Sequence, residues 1–136
     1  MANGFHLVVI TPYGRYYDDV VDFLEVRSED YSLGILPGHA PLVSTLSVCK
    51  MTTRHQGRTN VYAIGGGVIN INKEQVTLIL DSIERSDEID LVRAKEAKRR
   101  AEERLEQSKK DETIDVSRAK LALLKALNRI GLASKD

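Results

Sequence analysis

Apolar residues follow two different rhythms in this chain. From Phe5 to Ile83 they come in short runs, often alternating with polar residues and interrupted by glycine, which is the two-residue period of strands. From Asp87 onward nearly every residue is a helix former, and apolar residues recur every three to four positions. The change falls within Asp87-Glu-Ile-Asp-Leu-Val-Arg-Ala94. It predicts two domains, residues 1–86 and 87–136.

In the first half, Phe5 to Thr11 reads as a strand ended by the turn Pro12-Tyr13-Gly14. Val20 to Arg27 gives a second strand and Leu33 to Leu36 a shorter one. Leu42 to Thr53 and Arg58 to Ile64 form a hairpin across Gly57, and Val68 to Ile71 meets Gln75 to Leu80 across Asn72-Lys73-Glu74. Many short strands with frequent turns indicate a sandwich or barrel. Gly65-Gly66-Gly67 leads into a strand and not into a helix N-terminus, so it reads as a glycine bulge or a close backbone crossing. A phosphate-transferring enzyme built on these glycines is thereby disfavoured.

In the second half, a first helix is expected from about Asp87 to Gln107, with Asp87 and Glu88 at its positive end. Ser108 to Thr113 breaks the pattern, and Asp111 or Thr113 is available to cap a second helix that ends at a left-handed Gly131. The short connection makes an antiparallel hairpin, with Ala94, Ala97 and Ala101 facing Ala119, Ala122 and Ala126. Alanine buries little area at ~25 cal/mol/Å², so this pair is expected to be marginally stable. It is either a switch that opens at modest cost or a permanently docked arm. Asp90 and Arg93, three apart, form either an ordinary ion pair or half of a ligand site.

Charge and chemistry narrow the field. Twenty basic residues balance twenty acidic ones, so no overall attraction to nucleic acid is expected. Cys49 is the single cysteine, which excludes an intrachain disulfide and fits a reducing compartment. The first residues show no secretion signal, and no apolar run reaches the ~20 residues that span a bilayer. His6, His39 and His55 are scattered, with no nucleophile or metal cluster about them. No hydrolytic or redox chemistry is visible, and no metal is expected.

Three stretches in order carry a resemblance: Gly34-Ile-Leu-Pro-Gly-His-Ala-Pro-Leu42, Gly65-Gly-Gly-Val-Ile-Asn70 followed by Val76-Thr-Leu-Ile-Leu80, and Ile89-Asp-Leu-Val-Arg-Ala94. Over essentially its whole length the sequence resembles the ε subunit of bacterial F-type ATP synthases. The resemblance implies a β + α chain: a ten-stranded β sandwich followed by an antiparallel two-helix hairpin. It implies a non-catalytic rotor subunit of the central stalk, bound to the γ subunit and the ring of c subunits. Such a subunit is peripheral to the cell membrane on its cytoplasmic side. The helical domain then lies folded beside the sandwich, or extends to the catalytic α and β subunits and restrains ATP hydrolysis.

Some such proteins bind ATP, as a regulatory ligand and not a required cofactor, through Ile/Leu-Asp-x-x-Arg-Ala. The pattern is matched here by Ile89 to Ala94. Carried over, the ligands are Glu84, Asp90, Arg93, Ala94, Arg100, Lys125 and Arg129. Lys125 stands where ATP-binding members have arginine, which loses the planar fork. Ser32 stands where members commonly have an acid, which weakens a contact to the c ring unless Glu29 or Asp30 supplies it. Lys98, Arg99, Arg104, Arg118 and Lys120 are the cations expected to meet acidic loops of the catalytic subunits in the extended state. A free-standing ATP-sensing module is the alternative.

Overall fold

The structure is a computed structural model and describes residues 4–133. The chain divides between Arg85 and Ser86 into two units.

In the first unit the described residues form ten strands: β1 (Phe5–Thr11), β2 (Gly14–Val21), β3 (Phe23–Arg27), β4 (Ser32–Ile35), β5 (Leu42–Leu46), β6 (Cys49–His55), β7 (Arg58–Ile64), β8 (Gly67–Ile71), β9 (Gln75–Leu80) and β10 (Ile83–Arg85). They make two five-stranded sheets, ordered β2-β1-β9-β8-β5 and β10-β7-β6-β3-β4. Alternate side chains of both sheets point inward, so Leu7, Val9, Ile69 and Leu78 of one sheet share a single core with Leu24, Val26, Met51 and Ile64 of the other. This is the expected ten-stranded sandwich. Pairing is antiparallel except between β1 and β9, which run parallel with His6 opposite Gln75.

The glycine run is a close crossing, as its context implied. A Cβ on Gly67 (φ +154°) would stand 2.0 Å from the Ile79 carbonyl oxygen, and one on Gly66 (φ +95°) 3.1 Å from that of Leu46. Gly67 has no room for a side chain, and Gly66 has only a tight fit on a left-handed backbone that favours glycine. The hairpin across Gly57 turns through left-handed Gln56 and Gly57.

Two strand expectations need correction. Gly14–Val21 is a full strand pairing with β1, and Asp22 separates it from β3, so Val20 to Arg27 is not one strand. Leu42 to Thr53 is also two strands, lying in different sheets. The inward face shifts from Leu42, Ser44 and Leu46 to Cys49, Met51 and Thr53, because Ser47 and Val48 carry the chain across from one sheet to the other. Ser47 is held there by its amide on the Arg27 carbonyl at 3.0 Å.

The second unit opens with a 3₁₀ turn at Ser86–Glu88, followed by α1 (Leu91–Gln107) and α2 (Val116–Ala133). The two helices pack on each other along buried Ala94, Ala101, Ala119 and Ala126. Ala97 is only half-buried and Ala122 is exposed, so the seam is narrower than expected.

The helix ends also differ from expectation. The first helix begins at Leu91 and not near Asp87, because Asp90 is extended (φ −82°, ψ 103°) and caps it, accepting the Arg93 amide at 3.1 Å. Asp115, and not Asp111 or Thr113, caps α2, accepting the Arg118 amide at 3.1 Å. Asp111 instead folds the connection, taking the Thr113 amide at 2.9 Å and its hydroxyl at 2.6 Å. These bonds hold the Asp111 carboxyl below the usual carboxylate range. Gly131 lies inside α2 without a left-handed backbone, so it does not end the helix.

Candidate functional site

Asp90 does two jobs at the start of α1. One carboxylate oxygen caps the helix through the Arg93 amide, and the other lies 3.7 Å from Arg93 Nε. Both side chains stay largely in solvent, Arg93 at 84 % exposure and Asp90 at 54 %. In water such an i,i+3 pair contributes only a few tenths of a kcal/mol, so its stabilising value is mostly the cap. The motif therefore presents a guanidinium and a carboxylate together on an exposed helix start, with Ala94, the residue after Arg93, buried.

The remaining predicted ligands lie on several elements. Glu84 lies on β10 of the first unit, opposite Ala63 of β7. Lys125 and Arg129 are half-buried, one turn apart on α2. In an antiparallel pair the last turns of α2 lie beside the first turns of α1, and α2 also packs on the Ser86–Glu88 turn. Lys125 and Arg129 thus belong to the end of the hairpin that carries Asp90 and Arg93.

Arg100 looks elsewhere. It lines an open groove of about 610 Å³ near the other end of the hairpin, together with Arg104, Asp115, Arg118 and alanines of both helices. The sequence reading assigned Arg104 and Arg118 to protein contacts and missed that they share a groove with Arg100. The signal was present: Arg100 and Arg104 are four apart, and an antiparallel fold sets Arg118 opposite them. Of the other expected contact cations, Arg99 is tied within its own helix to Glu96 and Glu103, which raise its pKa.

A second candidate lies at one end of the sandwich. The loop Leu36 to Pro41 and the β8–β9 turn border a groove of about 290 Å³ that includes His39, Lys73 and Gln75. His39 is held by Nδ1–H donated to the Ala40 carbonyl at 2.7 Å, and its amide donates to the Leu36 carbonyl at 3.1 Å. The loop is thereby rigid while Leu36 remains 59 % exposed. Among the described residues no group of His, Cys, Asp and Glu is placed to hold a metal, and no helix is long and apolar enough to cross a membrane. Burial raises the pKa of the Cys49 thiol, which makes it a poor nucleophile.

Comparison with known proteins agrees with this architecture. The family model for the ATP synthase Delta/Epsilon chain beta-sandwich domain matches residues 4–86, and that for its long alpha-helix domain matches residues 87–134. An ATP synthase epsilon chain of Bacillus pumilus is 42% identical over 127 residues, 93% of this chain and 95% of that one. One from Desulforamulus reducens is 41% identical over 133 residues, covering 98% and 99%. A chain of the Euglena gracilis mitochondrial ATP synthase OSCP/F1/c-ring structure shares the fold with a TM-score of 0.79 at 19% identity, over 94% of this chain and 80% of that one. Two domain models in sequence, near-full-length relatives and the fold itself agree: the chain belongs to the ATP synthase delta/epsilon family, as one of its bacterial epsilon chains.

Proposed function

We propose that this epsilon chain is a non-catalytic rotor subunit that joins γ and the c ring through its sandwich and restrains ATP hydrolysis through its helices. ATP would relieve that restraint by holding the hairpin closed. The observation that carries the regulatory part is the contrast within the second unit. Its buried seam is built from alanines, while a fully matched Asp-x-x-Arg-Ala motif sits at the helix start beside the α2 turns bearing Lys125 and Arg129. A seam of methyl groups opens at low cost, and a polyanion contacting cations of both helices favours the closed form. Such a ligand stabilises that form by RT ln(1 + [L]/Kd), about 2.7 kcal/mol at a hundredfold excess over Kd.

The sandwich supplies the rigid surface for the rotor contacts. Its loop at Leu36 to Pro41, with the exposed Leu36, is the part we assign to the c ring. Through the complex the chain would be peripheral to the membrane on its cytoplasmic side.

Titration calorimetry of the full chain with millimolar ATP tests the ligand. Saturable heat is expected, lost in Asp90→Ala and Arg129→Ala, and strengthened in Lys125→Arg, where the bidentate fork is restored. No heat and no thermal stabilisation would leave the motif as a helix cap alone. Truncation after Ser86 tests the division of labour: assembly with γ and the c ring should persist while restraint of hydrolysis is lost. Purification without other ATPase subunits would favour a free-standing sensor.

A further inference from the structure

The cations of the hairpin are not equivalent. Arg93 is paired with Asp90, Arg99 with Glu96 and Glu103, and Lys109 with Glu106. Among the described residues Arg104 and Arg118 form no ion pair, Arg100 feels only the charge of Glu96 one turn before it, which Arg99 already pairs, and all three line one groove. The groove's single acid is Asp115, which already accepts the Arg118 amide as helix cap. Three guanidiniums against one carboxylate leave a net charge of about +2 facing a space of about 610 Å³. Ala97, Ala101, Ala119 and Ala122 contribute only methyl groups to it, so the room between the arginines is unfilled.

We infer that this groove is an oligophosphate site, distinct from the Asp90–Arg93 motif and taking inorganic pyrophosphate or a short polyphosphate. Guanidinium matches phosphate oxygens bidentately and stays charged throughout the physiological range. A surplus of two charges selects a multivalent anion over chloride or a lone carboxylate. Arg100 and Arg104 come from α1 and Arg118 from the first turn of α2, so a bound phosphate chain ties the helices together near their connection. Arg104 lies fourteen residues beyond Asp90 on the same helix, roughly 21 Å at 1.5 Å per residue. A nucleotide held at Asp90 does not satisfy Arg104 and Arg118. The site shares Arg100 with the proposed ATP set and does not depend on that set for its binding.

The test is calorimetry of the full chain with inorganic pyrophosphate and tripolyphosphate, with sodium chloride of equal ionic strength in the reference. Saturable binding is expected, and tripolyphosphate should bind more tightly than pyrophosphate. Arg104→Gln combined with Arg118→Gln should weaken it at least about tenfold, since two charge-assisted contacts are lost. Unchanged circular dichroism confirms that this variant keeps its helices. Asp90→Ala should change pyrophosphate affinity less than about twofold, even if it abolishes ATP binding. Three results would overturn the inference: no saturation at millimolar ligand, loss of pyrophosphate binding in Asp90→Ala, or binding of an acidic peptide through these arginines that pyrophosphate does not displace.

Discussion

In the sandwich the fully buried side chains are Leu7, Leu24, Ile35, Met51, Ile64, Ile69, Leu78 and Leu80, with several valines among them. In the helical unit, besides Leu132, the buried residues are Ala94, Ala101, Ala119 and Ala126. A buried leucine contributes about 1.5–3 kcal/mol, whereas an alanine contributes only about one methyl, near 0.8 kcal/mol. Yet the helical unit is not short of apolar residues. Leu121, Leu124 and Leu127 stand on α2, each more than two-fifths exposed. These three leucines face outward, Leu91, Leu105, Leu123 and Ile130 are half-buried, and alanines are the residues most fully closed in the seam. The difference separates a region closed by large side chains from one held by a thin seam that leaves leucines of α2 exposed.

The largest expected effect tests the firm half. Leu78→Ala should destabilise the sandwich by about 2–5 kcal/mol, the range for truncating a fully buried leucine. All five tyrosines lie at or before Tyr62, in the first unit, so tyrosine fluorescence reports its unfolding alone. If that transition moves by less than 1 kcal/mol or so, the contrast between the cores fails.

Enlarging the seam comes next. Ala101→Leu should force the helices apart at a cost of about 1–3 kcal/mol, seen as an earlier loss of the helical far-ultraviolet signal with the tyrosine transition in place. A joint shift of both signals would show that the two units unfold as one. Smaller again is Asp90→Ala, which removes the α1 cap and should lower helix stability by about 0.5–2 kcal/mol. Asp90→Asn, which still caps, should recover most of that loss in the same measurement.

The smallest effect is a pH dependence on the sandwich surface. A hydrogen bond from His6, then its charge and that of Arg15, hold the Asp18 carboxyl below its ordinary range. A depressed carboxylate contributes stability above the unfolded-state pKa near 4 and loses it as pH falls through the native pKa. Asp18→Asn should therefore be slightly less stable than wild type at neutral pH, with the gap closing as pH falls through the native pKa. A gap that persists in acid would mean the contact is not ionic.

Legibility in sequence followed the same contrast. The core strands were readable because their inward residues are large and alternate, and Gly65–Gly67 was readable because its context excluded the helix that a phosphate loop needs. β2 escaped because Arg15, Tyr16, Asp18 and Asp19 form an edge strand with little to bury, so alternation carried no signal. The break at Ser47–Val48 was visible as a change in which parity is apolar, but unbroken β propensity through Leu42 to Thr53 masked it. In the helices, Asp111, Thr113 and Asp115 all suit a cap. Only geometry shows that Asp111 is spent on Thr113 and that Asp115 takes the helix. The motif residues were found by resemblance. The arginine groove was not, since a groove belongs to the pairing of two helices and to neither sequence stretch alone.

The parallel pairing of β1 with β9 carries a consequence for how the protein is made. β1 leaves the ribosome first and can form its hairpin with β2 at once, but its other edge stays bare until Gln75–Leu80 has been synthesised. Leu7 and Val9, which end with no solvent exposure, have no finished core to enter until then. Distant pairing of this kind slows folding and leaves an open strand edge able to meet another chain. A nascent chain stopped short of Leu80 should therefore be a poor folder and a sticky one, whereas one stopped after Arg85 already holds all ten strands of the sandwich.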